Sequence, residues 1–237
     1  HPQPARVRAA IPELPSLMPT APQEIATEVF ARLPDEFRRN GRCAWGDVNN
    51  GRRPTECFLE GPAFDRQGNL YVAESVSVAS PGPPPSFGPG GIWRIRRGGK
   101  VELCLRDELL RGTGALGQPV PIGANGIAYF FGNLFVTNTE RGTVLRVPVC
   151  WDGRLGPPQV WKQLEDVPES PLAGAPIPVC GDGLILDVFG NIYIAVLTRS
   201  AVVRINPWHR SQTTLEAFHV SATLSSEEKT SALQSRV

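Results

Sequence analysis

Apolar and polar positions alternate along this chain in bursts of strand length, separated by turns rich in glycine and asparagine. Three bursts share one frame: Glu60-Gly-Pro-Ala-Phe-Asp-Arg-Gln-Gly-Asn-Leu-Tyr-Val-Ala, Asn125-Gly-Ile-Ala-Tyr-Phe-Phe-Gly-Asn-Leu-Phe-Val-Thr and Asp182-Gly-Leu-Ile-Leu-Asp-Val-Phe-Gly-Asn-Ile-Tyr-Ile-Ala. Each frame is an apolar strand, a turn ending in Gly-Asn and a second alternating strand. In the first unit these strands are predicted near 61–65 and 69–74, followed by Gly91-Ile-Trp-Arg-Ile-Arg and Lys100-Val-Glu-Leu-Cys-Leu. Thr143-Val-Leu-Arg-Val-Pro and Gln159-Val-Trp-Lys extend the second unit, and Ala201-Val-Val-Arg-Ile-Asn and Thr214-Leu-Glu-Ala-Phe the third. Four short strands over roughly 40–60 residues is the anatomy of a propeller blade, so the chain reads as all-β, built of four-stranded antiparallel blades.

The remaining segments are less regular. Residues 1–24 are rich in Pro and Ala and read as an extended arm, while 24–33 alternate enough for a strand. Residues 34–56, with Trp45 among Gly, Asn and Arg, read as a loop. A propeller domain is expected over 25–220 and a solvated polar tail over 221–237. The proline-bearing insertion from Ser77 to Gly90 is expected to be neither helix nor central strand, because proline lacks a backbone donor and fixes φ. Three clear units, four with the amino-terminal strand, are fewer than a propeller of this type needs for closure. The abrupt change to polar sequence near residue 221 suggests that blades are missing at that end.

Composition narrows the function classes. The 237 residues contain 24 Gly and 24 Pro, as many short strands joined by loops require. The formal net charge is +1 with both signs intermixed, so neither nucleic acid nor a membrane surface is an expected partner. No apolar run approaches the roughly 20 residues of a membrane-spanning helix. The chain begins with His1 rather than Met, which a removed signal peptide would explain, and either a secreted or a cytoplasmic location fits. The cysteines are Cys43, Cys57, Cys104, Cys150 and Cys180, without a Cys-x-x-Cys pair for zinc or thioredoxin-like chemistry. Cys43 and Cys57 flank a short polar loop and could bridge in a secreted chain. Cys104, in an alternating strand, is expected to be buried.

The candidate chemistry lies in what varies between the repeats. The scaffold positions agree, but the residue opening each frame changes from Glu60 to Asn125 to Asp182. Asn-Gly and Asp-Gly are favoured turn pairs for backbone reasons alone, but Glu-Gly-Pro is not. Three hard oxygen donors at equivalent positions of a radial repeat would converge on one axis, which suits a calcium-like ion.

On these residues, together with Val29-Phe-Ala-Arg-Leu-Pro and Phe58-Leu-Glu-Gly-Pro-Ala-Phe-Asp-Arg, the chain resembles the senescence marker protein/gluconolactonase/luciferin-regenerating-enzyme family of six-bladed propellers. The resemblance implies a divalent cation at the channel mouth held by Glu60, Asn125 and Asp182. Calcium is the usual ion, with zinc, manganese or magnesium as substitutes. It further implies hydrolysis of a lactone or small ester, with Asp182 as the general base that activates water. Asn138, after the second strand of the second unit, is a candidate contact to a small-molecule substrate. The chain departs from the family in having no further Asn-Asp type blade between Glu60 and Asn125, and Glu74-Ser-Val-Ser stands where an Asp and a Gly-Arg turn are usual.

These departures leave two other readings. One is a metal-bearing propeller that binds a hydrophobic metabolite and templates a cyclisation or isomerisation, and the other is a non-catalytic, incomplete family member. The oligomeric state is not set by the sequence. Asp65 and Asp187 read as hairpin-turn residues, and Trp93, Trp151, Trp161 and Trp208 as core or inter-blade packing. Arg94, Arg146 and Arg204 occupy equivalent third-strand positions, on a solvated or inter-blade face. His1 and His209 or His219 are poor candidates for a copper site or a catalytic triad.

Overall fold

The computed structural model describes residues 29–34, 57–80, 86–118 and 120–217. Three antiparallel sheets are built from strands that follow one another in sequence. The first contains β1 (Cys57–Phe64), β2 (Leu70–Ser80), β3 (Ser86–Gly88), β4 (Gly90–Ile95) and β5 (Val101–Asp107), in the order β1-β2-β4-β5 with β3 paired to β2. The second is β6 (Ala124–Phe130), β7 (Asn133–Asn138), β8 (Thr143–Pro148) and β9 (Gln159–Gln163). The third is β10 (Gly181–Leu186), β11 (Ile192–Val196), β12 (Ala201–Ile205) and β13 (Gln212–Ala217). The first strands of the sheets lie together, β1 against β6 and β6 against β10, and the later strands radiate away from them. This is an all-β arc of consecutive propeller blades.

The first and third blades turn their opening hairpins with the same side chain. Asp65 accepts hydrogen bonds from the amides of Gln67 and Asn69, from Asn69 Nδ2 and from the Tyr71 hydroxyl. Asp187 accepts from the equivalent Phe189, Asn191 and Tyr193 groups. A carboxylate that caps its own turn and then holds the tyrosine of the returning strand fixes the hairpin register. Burial, followed by the neighbouring Asp65, pushes the Tyr71 hydroxyl up to about 12. Both aspartates are therefore turn residues, as their spacing suggested.

Blade stacking depends on glycine. The pairing register shifts at Glu60–Pro62, at Ala124–Ile127 and at Gly181–Leu184, so each donor-Gly pair sits in a bulge of a first strand. Gly61, at φ +47°, lies so close to the second blade that an added Cβ would meet Asn125 O at 2.8 Å and Ile127 N at 2.9 Å. A Cβ on Gly126 would meet Leu184 N at 2.6 Å and Asp182 O at 2.7 Å of the third blade. Hydroxyls fasten the same junctions: Ser75 donates to Ala124 O, and the equivalent Thr139 donates to Gly181 O at 3.0 Å. Gly126→Ala is expected to cost about 1–3 kcal/mol, because the intruding methyl must move backbone rather than a flexible side chain. Urea unfolding of the variant checks this.

Apolar side chains fill the two junctions. Ala63, Tyr71, Ala73, Ile92, Ile127, Leu134 and Val136 form one core between the first and second blades. Phe135, Val144, Trp161, Ile192, Ile194 and Val203 form the other, between the second and third. The period-two alternation is legible in β7, where Leu134 and Val136 face one core and Phe135 the other.

Several expectations need correction. The insertion after the first hairpin contributes regular structure: β2 continues to Ser80 and pairs with β3 through Ser77–Gly88 and Val78–Phe87. Of its residues, 81–85 lie outside the described set. Residues 29–34 form no strand, and 24–28 of that expected strand are outside the described set. The same holds for the arm, for 35–56 of the Trp45 loop and for the tail beyond 217. Trp93 and Trp161 are buried, but Trp151 and Trp208 are 94% and 82% exposed. Both follow a strand and enter a turn, so neither blade face receives them.

Candidate functional site

Glu60, Asn125 and Asp182 stand at bulges at corresponding points of three adjacent first strands, Glu60 still paired with Ala73 and the other two skipped by the ladder. The glycines after Glu60 and Asn125 let the next blade's backbone approach, whereas Gly183, after Asp182, has open space beside it; the three donors thus lie near the starts of the first strands of successive blades. Asn125 is buried at 7% exposure, and Glu60 and Asp182 are half-buried. Among the described residues, none of the three side chains has a hydrogen-bond partner. This contrasts with Asp65 and Asp187, which are fully engaged. Burial and then the charge of Asp182 push the Glu60 carboxyl above its ordinary value, so the two carboxylates are close enough to repel.

Two mutually repelling carboxylates and a buried, unengaged amide suit a hard divalent cation, which would be coordinated by oxygen and would offset the repulsion. The set contains only two acids, and no cluster of three or more His, Cys, Asp and Glu occurs among the described residues. Its electrostatics fix a pH dependence. A carboxyl raised in the fold contributes stability while protonated, and that contribution is lost as pH rises through the folded pKa. Ionised Glu60 is therefore the less favoured state of the metal-free fold, and a proton on Glu60 would compete with a cation bound there. If a cation binds here, its affinity, followed by titration calorimetry, is expected to fall on acidification as Glu60 takes up its proton.

Asn138 does not join this set. It is fully buried, its Nδ2 donates to Leu109 O at 2.8 Å and Arg111 O at 3.0 Å, and its Oδ1 accepts from the Arg141 amide at 3.2 Å. The amide holds the 108–111 turn against the second blade, a structural role in place of the expected free substrate contact. His209 is exposed in the 206–210 turn, and Cys104, Cys150 and Cys180 are free thiols. The Cys43–Cys57 pairing, His1 and His219 lie outside what the structure describes.

Glu74 stood out in the sequence only as a departure from the family, with no sign of its buried pairing. It is 1% exposed, accepts from Trp93 Nε1 at 2.6 Å and pairs with Arg106 Nη2 at 2.9 Å. Burial raises its carboxyl and Arg106 and Trp93 pull it back only in part. An acid in an alternating strand gave no sign of this, because its partners come from β4 and β5. Arg94, also buried, donates to Gly153 O of the second blade and to Glu102. Lys100, Arg96 and Arg94 together hold Glu102 at about 2. Arg94 is thus an inter-blade clamp, while the equivalent Arg204 is exposed. A cleft of about 350 Å³ beside this clamp, lined by Gln67, Asn69, Arg94, Tyr129 and Trp151, includes none of the three donors.

The class defined by these features is a β-propeller arc with an oxygen-donor set on its first strands. Solved structures with a similar fold include a luciferin-regenerating enzyme, at 15% identity and a TM-score of 0.47 over 70% of this chain and 47% of that one. A protein provisionally described as a gluconolactonase shows 17% identity and a TM-score of 0.47 over 69% of this chain and 48% of that one. A calcium-binding protein, regucalcin from Agrobacterium tumefaciens, shows 18% identity and a TM-score of 0.42 over 63% and 42%. The chain spans less than half the length of each of these structures. No family profile and no curated protein sequence matches the chain.

Proposed function

We propose that the chain is a divalent-cation-dependent hydrolase of a lactone or small ester, with Glu60, Asn125 and Asp182 as the cation's protein ligands. The observation that carries this reading is the correspondence of the three bulges: three different oxygen side chains, unengaged among the described residues, at corresponding points of a repeat whose other features are structural. A cation held there would act as a Lewis acid toward a substrate carbonyl.

The chain's residues supply the rest. Asp182, the half-buried carboxylate, takes the proton of the attacking water as its oxygen bonds to the carbonyl carbon. The carbon–oxygen bond of the ester then breaks, and the departing alkoxide receives that proton. Glu60 balances the cation's charge, and buried Asn125 offers a neutral oxygen that adds affinity without further repulsion. The test is hydrolysis of a panel of aldonolactones and aryl esters with calcium present and after chelation. Turnover that chelation abolishes is expected. Calcium uptake without hydrolysis of any panel member would refute the hydrolase assignment while sparing the metal site.

A further inference from the structure

Among the described residues, no blade covers the outer face of the first blade or of the third, and these two faces depart from the internal pattern in matching ways. Within the chain, each blade presents a face to the next through one set of positions. Gly61 and Gly126 lie on the neighbour's backbone, Ala63 and Ala128 follow on the same strands, and Ser75 and Thr139 donate to the neighbour's carbonyls. The receiving faces present large apolar side chains, Ile127 and Tyr129 on β6 and Leu184 and Leu186 on β10, all packed into the cores.

On the outer face of the third blade the corresponding positions are Gly183, Ile185 and Leu197. A Cβ on Gly183 would meet nothing within 4 Å, and Ile185 and Leu197 are 67% and 60% exposed. On the outer face of the first blade the receiving positions are Pro62 and Phe64, both exposed, preceded by Leu59 at 42% exposure. Internal junctions set alanine against isoleucine or leucine, whereas the open faces set Ile185 against Pro62, so at this pair the bulk has changed sides, while Phe64 keeps the large side chain found at Tyr129 and Leu186. Internal junctions fasten a hydroxyl to a carbonyl beside Ala124 or Gly181, whereas the open faces offer leucine at both places.

We propose that a second copy of this chain covers these faces, the third blade of one copy stacking on the first blade of the other as the blades stack within the chain. Gly183 would then lie over the Glu60–Pro62 bulge, Ile185 over Pro62 and Phe64, and Leu197 against Leu59. The junction has different faces on its two sides, so two copies close only by using it twice. This inference stands on the blade faces and is independent of the metal site.

The test uses Ile185→Asp on one face, Phe64→Asp on the other, and sedimentation equilibrium. Wild type is expected at two or more chain masses, and each variant at one, with the β-sheet circular dichroism of wild type. An equimolar mixture of the two variants retains one intact junction and is expected to return to two chain masses. Gly183→Val, placed in open space, supplies a second variant of the third-blade face should Ile185→Asp fail to fold. A wild type of one chain mass at tens of micromolar, an oligomer that survives both substitutions, or a mixture that does not reassociate would each overturn the proposal.

Discussion

Arg106→Ala is expected to destabilise the protein by about 3–5 kcal/mol at neutral pH, the cost of leaving a buried charge without its partner. Glu74 is 1% exposed and has Arg106 as its cation, with Trp93 donating the second hydrogen bond. The reverse substitution, Glu74→Ala, should cost less, because the Arg106 side chain is 27% exposed and keeps access to water. The asymmetry distinguishes a desolvated carboxylate from an ordinary surface pair, which would lose about 0–1 kcal/mol either way.

The same substitution makes stability depend on pH in a defined direction. Burial already raises the Glu74 carboxyl, and Arg106 is the largest influence pulling it down. Without Arg106 it rises further. A carboxyl raised in the fold contributes stability while protonated and loses it as pH rises through the folded pKa. The penalty in Arg106→Ala is therefore expected to shrink on acidification, read as a melting temperature that gains on wild type as the buffer is taken from neutral toward about pH 5. A penalty independent of pH would show that packing, and not the charge, is what Arg106 supplies.

The second large effect is on turnover. Asp182→Ala is expected to lower hydrolysis by at least roughly a hundredfold, the contribution of a positioned general base, with further loss if the cation is no longer held. Asp182→Asn separates the two roles, since it keeps a neutral oxygen donor but no proton acceptor. If calcium binding survives in the Asn variant while turnover falls, the base role is isolated; loss of both places Asp182 first among the ligands. Unchanged hydrolysis in Asp182→Ala would remove it from the chemistry.

Most of the strand plan was legible because period-two alternation and Gly-Asn turns are local signals. Asp65 and Asp187 were readable as turn residues for the same reason, since every group they bind lies within six residues of them. The three donors stood out because the repeats supply an internal comparison. What escaped depends on partners distant in sequence. Glu74 gave no sign of its buried pairing, since Trp93 and Arg106 lie 19 and 32 residues away. Asn138 resembled a channel-facing polar residue until Leu109 and Arg111 supplied its carbonyls. The exchange of bulk between Ile185 and Pro62 became meaningful only once the alternation had assigned each to an open face. Trp151 and Trp208 were misassigned because aromatic bulk was weighed above their position after a strand's end.

The central claim is that Glu60, Asn125 and Asp182 bind a divalent cation in the folded chain. Thermal unfolding with and without millimolar calcium, on wild type and on Asp182→Asn, tests it most directly. A ligand bound only by the folded state stabilises it by about 2.7 kcal/mol at a hundredfold excess over Kd. The expected result is a calcium-dependent rise in the melting temperature of wild type that the substitution reduces or removes. A wild-type melt indifferent to calcium, manganese, zinc and magnesium would contradict the account and leave the three donors as bulge residues of a stacked repeat.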